Sequence, residues 1–137
     1  MTAGEVETFV RMRLVALQPP ISGGVYYKGM RPRQNDGDEG LEDAEILVPS
    51  GGGSELLEGS CIVNIYVPNV LTASGLSLRN KRRTDVLEQW LDGLPAKLRD
   101  GKIYFKRDGL IVTMEENDTK EHFVSLKMKF KVLTENY

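Results

Sequence analysis

His122-Phe123-Val124-Ser125-Leu126-Lys127-Met128-Lys129-Phe130-Lys131-Val132-Leu133 is the stretch on which the fold turns. Val124, Leu126, Met128, Phe130 and Val132 alternate with Ser125, Lys127, Lys129 and Lys131. Successive side chains of a strand point to opposite faces, so this reads as a long strand with one core face and one wet face. A sheet wetted on one side is characteristically antiparallel, and its other face needs a covering layer. The elements upstream are therefore read as its partners and its cover.

Immediately upstream, Lys102–Lys106 and Leu110–Glu115 are strand candidates. Arg107-Asp108-Gly109 between them predicts a hairpin, because Asp-Gly accepts the positive φ of tight β-turns. A turn at Glu116–Asp118 then delivers the chain to the final strand. Before this meander, Thr84 is placed to cap a helix whose buried stripe is Val86, Leu87, Trp90, Leu91 and Leu94. Pro95 ends or kinks that helix, and Asp100-Gly101 is a turn. Ser60–Val67 is apolar on both alternating faces and predicts a central strand covered on both sides, closed by Pro68.

The first third follows the same logic. Thr2 and Glu5 fit a capping box, and Val6, Phe9, Val10, Leu14 and Leu17 recur at helical spacing. Pro19, Pro20, Gly23 and Gly24 stop that helix. Val25–Lys28 and Ala44–Val48 are strand candidates separated by a polar loop over 34–40, and Ser50–Gly53 forms a hairpin tip leading into Ser60–Val67. The order is α-β-β-β-α-β-β-β. It predicts a single α+β domain over residues 1–137, two-layered, with two helices packed on one face of a mostly antiparallel sheet.

A chain of 137 residues is long enough for a core without staples. Eighteen basic and twenty acidic side chains leave a net charge of -2, which argues against a dedicated nucleic-acid binder. No apolar run approaches the roughly 18 residues of a membrane span, and residues 1–14 lack a signal-peptide stretch. The expectation is a soluble protein with no membrane partner, cytoplasmic when made if it is bacterial or viral in a bacterial host.

Chemistry is sparse. His122 is the only histidine and Cys61 the only cysteine, and they lie on different strands, so no metal-ligand spacing exists. Cys61 falls on an apolar strand face, where a thiol behaves as a small hydrophobe. The acidic run Asp36-Gly37-Asp38-Glu39-Gly40 lacks the ligand pattern of a calcium loop, and Gly51–Gly53 lacks the Lys-Ser/Thr ending of a phosphate loop. Glu42/Asp43 and Glu115/Glu116 are adjacent, which on a strand sends the two carboxylates to opposite faces. The sequence thus predicts no catalytic residue, no cofactor and no metal, and points to a protein that works by binding other protein surfaces. Two basic features remain: Arg79, Lys81, Arg82 and Arg83 before the second helix, and Lys127, Lys129 and Lys131 along the last strand. Each is either a solvated surface that discourages edge pairing or a positive patch that meets an acidic partner surface or passing DNA.

The ordered pieces resemble a known family. An amino-terminal helix leads into Val25-Tyr26-Tyr27-Lys28-Gly29-Met30-Arg31-Pro32, then Cys61–Val67, a helix of the Thr84–Leu94 kind, and the long strand Phe123–Val132. In this pattern the chain resembles the tail-terminator and tail-completion (head–tail joining) proteins of long-tailed bacteriophages and prophages. The resemblance implies a non-enzymatic virion protein assembled in the bacterial host, typically a ring of six subunits that caps the tail tube. Its partners would be its own copies, tail-tube proteins and head–tail connector proteins, with DNA touched only in passing. Long hairpins suit head-to-tail contacts, which places candidate interface residues at Arg31 and Arg33, at Gly51, Gly52 and Gly53, and on the two basic features. The alternatives are a nucleic-acid-binding module using residues 79–83 with the Lys127/Lys129/Lys131 face, and a small enzyme with an unfamiliar site.

Overall fold

A computed structural model of the chain describes residues 1–32, 40–49, 58–116 and 118–133. Two helices and nine strands follow one another: α1 Ala3–Ala16, β1 Val25–Tyr27, β2 Asp43–Leu47, β3 Glu58–Pro68, β4 Val70–Leu71, β5 Ser77–Leu78, α2 Lys81–Asp92, β6 Lys97–Asp100, β7 Ile103–Arg107, β8 Val112–Glu116 and β9 Glu121–Val132. The predicted α+β, two-layer class is what forms. Seven strands make one sheet in the order β1-β2-β3-β9-β7-β6, with β8 also on β9, and β4-β5 form a separate small hairpin. All pairings are antiparallel except β1 with β2.

The paired strands β3 and β9 are the centre of the sheet, matched from Glu58 opposite Lys131 to Pro68 opposite Glu121. Cys61, Val63, Ile65 and Val67 share a face with Val124, Leu126 and Phe130, all buried. Both helices cover this face. Val6, Val10 and Leu14 of α1 and Leu87 and Leu91 of α2 complete the core. Phe9 stacks on Phe105, their rings 5.7 Å apart, which ties α1 to β7. On the other face of β3, Ile62 and Tyr66 are half-buried and Asn64 is buried, and among the described residues no helix or further sheet forms a second covering layer there.

Several local expectations are corrected. Residue 80 rather than 84 caps α2: Asn80 Oδ1 accepts from the Arg83 N–H at 3.2 Å. Thr84 is buried one turn in, its hydroxyl donating to the Lys81 carbonyl. Asparagine is as good a cap as threonine, so the basic run forms the helix's first turn instead of preceding it. Leu17 and Val86, expected in the buried stripes, are exposed. The 69–83 connection contains the β4-β5 hairpin, and β6 was not foreseen.

The meander is also rearranged. Of the two Asp-Gly pairs, Asp100-Gly101 makes the hairpin, joining β6 to β7 with Gly101 at φ +58°. Asp108-Gly109 does not. Strands β7 and β8 both pair antiparallel with β9, Arg107 opposite Met128 and Val112 opposite Ser125, so they run in the same direction and cannot be each other's hairpin partner. They form one interrupted strand on one edge of β9, and residues 108–111 bulge out between them, the Asp108 N–H still donating to the Lys127 carbonyl at 2.8 Å. Most of the 34–40 loop, Arg33, the Ser50–Gly53 tip and part of the Glu116–Asp118 turn lie outside the described residues.

Candidate functional site

Arginines organise the surface, and most are committed within the chain. The segment after β1 lays Arg31 across the uncovered sheet face. Its guanidinium donates to Asp43 Oδ2 at 3.1 Å and to both oxygens of Glu121, and sits over the Tyr66 ring at 4.3 Å. The three side chains Arg31, Asp43 and Glu121 are 11%, 7% and 5% exposed. Burial alone would make the Arg31 charge harder to keep, but the two carboxylates outweigh it and hold its pKa above the usual arginine value. Tyr66 is held above the usual phenol range by burial first and by the nearby Glu45 charge second. Arg31 is therefore an internal clamp rather than a free interface residue.

Arg83 behaves alike. It donates to Glu42 Oε2 and Oε1 at 2.8 and 2.7 Å and to the Pro20 carbonyl at 2.7 Å, pinning the start of α2 to the β1-β2 and α1-β1 connections. Thus Glu42 and Asp43, adjacent in sequence, serve different arginines, as strand geometry requires. Lys81 pairs with Asp85 one turn on. Arg79 and Arg82 are exposed at this end of α2.

The basic run and the lysine strand do not form one patch. Helix α2 packs on the core face, whereas Lys127, Lys129 and Lys131 lie on the opposite face of β9. That second face gains cations that sequence reading missed. Lys97 lies opposite Lys106, and Lys106 opposite Lys129; two residues along, Arg99 lies opposite Tyr104, and Tyr104 opposite Lys131. A signal was available: had Asp100-Gly101 been taken as the hairpin, Lys97, Arg99 and Lys106 would have fallen on the face of Lys129.

Two apolar features stand out on the remaining surface. Hairpin β4-β5 leaves the sheet at the end of β3 and exposes Val70 (47%), Leu71 (66%), Leu76 (60%) and Leu78 (50%). It is braced at its root by Asn69, whose N–H donates to the Lys120 carbonyl and whose side chain meets His122 Nδ1 at 2.7 Å and Ser77. The second feature is a cleft of about 90 Å³ between α1, the end of α2 and β6-β7, lined by Phe9, Leu17, Leu94, Leu98, Phe105 and Met128 among others. The arm's residues are absent from that lining.

Cys61 is fully buried, and burial, with the Glu7 carboxylate second, pushes its thiol up to about 12. A thiol held protonated is a poor nucleophile. Among the described residues no three His, Cys, Asp or Glu side chains converge as metal ligands, and no helix is long and apolar enough to cross a membrane.

The sequence matches no protein family model and no curated protein. A solved structure of a protein whose name describes no function shares the fold, with a TM-score of 0.50 and 13% identity over 96% of this chain and 93% of that one. At that identity the likeness concerns the fold alone.

Proposed function

We propose that this chain is a structural, non-enzymatic assembly subunit that binds its own copies head to tail. The observation that carries this reading is the pairing of an exposed apolar arm, β4-β5, with an apolar cleft elsewhere on the same molecule. A protruding patch and a pocket at different places on one chain make a heterologous contact, which closes into a ring when the rotation per subunit allows. Burying the four half-exposed side chains contributes roughly 1 kcal/mol each, about 4 kcal/mol together. That is no more than the low end of the roughly 4–15 kcal/mol cost of association, so the arm acts with further contacts and with ring closure rather than alone. The order of elements supports placing the subunit among phage tail-terminator or head–tail joining proteins, as a virion component whose further partners are tail-tube and connector proteins.

The test is sedimentation velocity across a concentration series on the full chain and on a Leu71→Asp/Leu76→Asp double variant. Both substituted side chains are already exposed, so the variant should fold. The expected result is concentration-dependent closed oligomers for the parent and monomer for the variant. A parent that stays monomeric at every concentration, or a variant that assembles equally well, overturns the reading.

A further inference from the structure

The lysines of the uncovered sheet face stand in register. Lys97, Lys106 and Lys129 form one row across β6, β7 and β9; in the next, Arg99 and Lys131 flank Tyr104, and Glu58 of β3 stands opposite Lys131 at the end of that row. Adjacent strands are about 4.8 Å apart and same-face neighbours along a strand about 7 Å, so the first row spans roughly 10 Å. Lys127 stands two residues from Lys129 on the same face, and Asp108 reaches it at 3.6 Å. Among the described residues, the other five cations enter no ion pair.

Like charges directly opposite on neighbouring strands are destabilising. Protection of a sheet edge explains lysines on an edge strand such as β6. It does not explain Lys106 and Lys129, whose strands are interior to the sheet. The chain as a whole carries a net charge of -2, so this face is a local concentration of positive charge and not an overflow of a basic protein.

We infer that this face is a docking platform for the phosphate backbone of duplex nucleic acid. A duplex presents one negative charge per about 1.7 Å of axis, enough to neutralise the whole row at once. Duplex is favoured over single strand because the platform's one aromatic, Tyr104, is half-buried, whereas single-strand binding uses several rings for stacking. The cations are lysines and one arginine on a flat sheet, so contact is to phosphates and independent of base sequence. The inference does not rest on the self-assembly reading: Lys97 and Lys129 lie outside the cleft lining, and Lys106 borders the cleft as well as the row.

The experiment is fluorescence anisotropy with a labelled 30-base-pair duplex and the full chain, from about 50 to 200 mM salt. Four neutralised phosphates give a slope of log K against log salt of about -3.6, a loss of roughly 100-fold over that range. A Lys97→Glu/Lys106→Glu/Lys129→Glu variant, shown folded by circular dichroism, should lose at least 100-fold in affinity. An Arg79→Glu/Arg82→Glu variant, altered on the helical side, should bind as the parent does. Equal binding by the triple variant, no binding at the lowest salt, or tighter binding of a single strand or of polyglutamate than of duplex would overturn the inference.

Discussion

Arg31 shows how one side chain holds together what the backbone leaves apart. The segment after β1 has no ladder bonds to the uncovered face; Arg31 fastens it there through Asp43 and Glu121. Truncating the arginine leaves two buried carboxylates without their partner, a situation that costs about 3–5 kcal/mol. Urea denaturation of Arg31→Ala should show a loss of that order, and Arg31→Lys should recover only part, because an ammonium cannot fork between two carboxylates while lying over Tyr66. A loss below about 1 kcal/mol would mean that the clamp contributes nothing. Gly23 belongs to the same construction: a Cβ there would lie 1.9 Å from Asp43 Oδ1 and 2.6 Å from the Glu42 carbonyl oxygen, so only glycine lets the chain pass. Cys61 gives a pH signature. Its folded pKa is raised, so the folded state keeps the proton that the unfolded chain loses above about pH 8.5. Its contribution is intact below that value and is lost progressively as pH climbs toward 12. The thiol should resist a disulfide reagent at pH 8 until the protein unfolds; rapid modification of the native chain would contradict its burial. None of the long-range pairings of Arg31 was legible in the sequence, since its partners are 12 and 90 positions away.

Among the elements, what was legible had a period. The alternation of β9 and β3 and the stripe of α1 were read to within two residues at most strand ends, because burial against one core imposes that period. What was not legible was pairing. The two Asp-Gly sequences of the meander, Asp100-Gly101 and Asp108-Gly109, each announce a turn, and nothing local tells which one reverses the chain; the outcome depends on β9, which takes both β7 and β8 on one edge. Strand β6, Lys97-Leu98-Arg99-Asp100, holds one large apolar residue and is too polar to announce itself. The end of α2 depends on β7 in a way no capping rule contains. Arg107 donates to the carbonyls of Leu91, Asp92 and Leu94 at 3.2, 3.1 and 3.1 Å and to Asp92 Oδ1 at 2.8 Å. It adds a donor to carbonyls at and just past the last turn, of which that of Leu91 also accepts from the Leu94 N–H, and meets the negative end of the helix dipole. Arg107→Ala should cost about 2 kcal/mol and speed hydrogen exchange of the amides at 89–94 while leaving those of β3 protected. Unchanged exchange in that turn would show the cap to be dispensable.

At the scale of the whole molecule, the two helices take one side of the sheet and leave the other to charge. The uncovered face is divided: Arg31, Asp43, Glu45 and Glu121 lie toward one end, and the lysine rows lie toward the other. Composition could not reveal this, because a net charge of -2 is compatible with an even scatter. The division keeps apart the two proposed tasks, apolar contacts between copies through the arm and cleft and phosphate contacts on the lysine rows. Each therefore has its own variants and its own salt dependence.

Strand β9 is bonded along both edges, to β3 on one side and to β7 and β8 on the other. During synthesis it is the last of these strands to leave the ribosome. Until residues 121–132 emerge, β3 has an open, apolar flank and β7 and β8 have nothing to share. The sheet thus closes in a single late event, and a nascent chain paused before this strand is at its most vulnerable to joining the wrong neighbour.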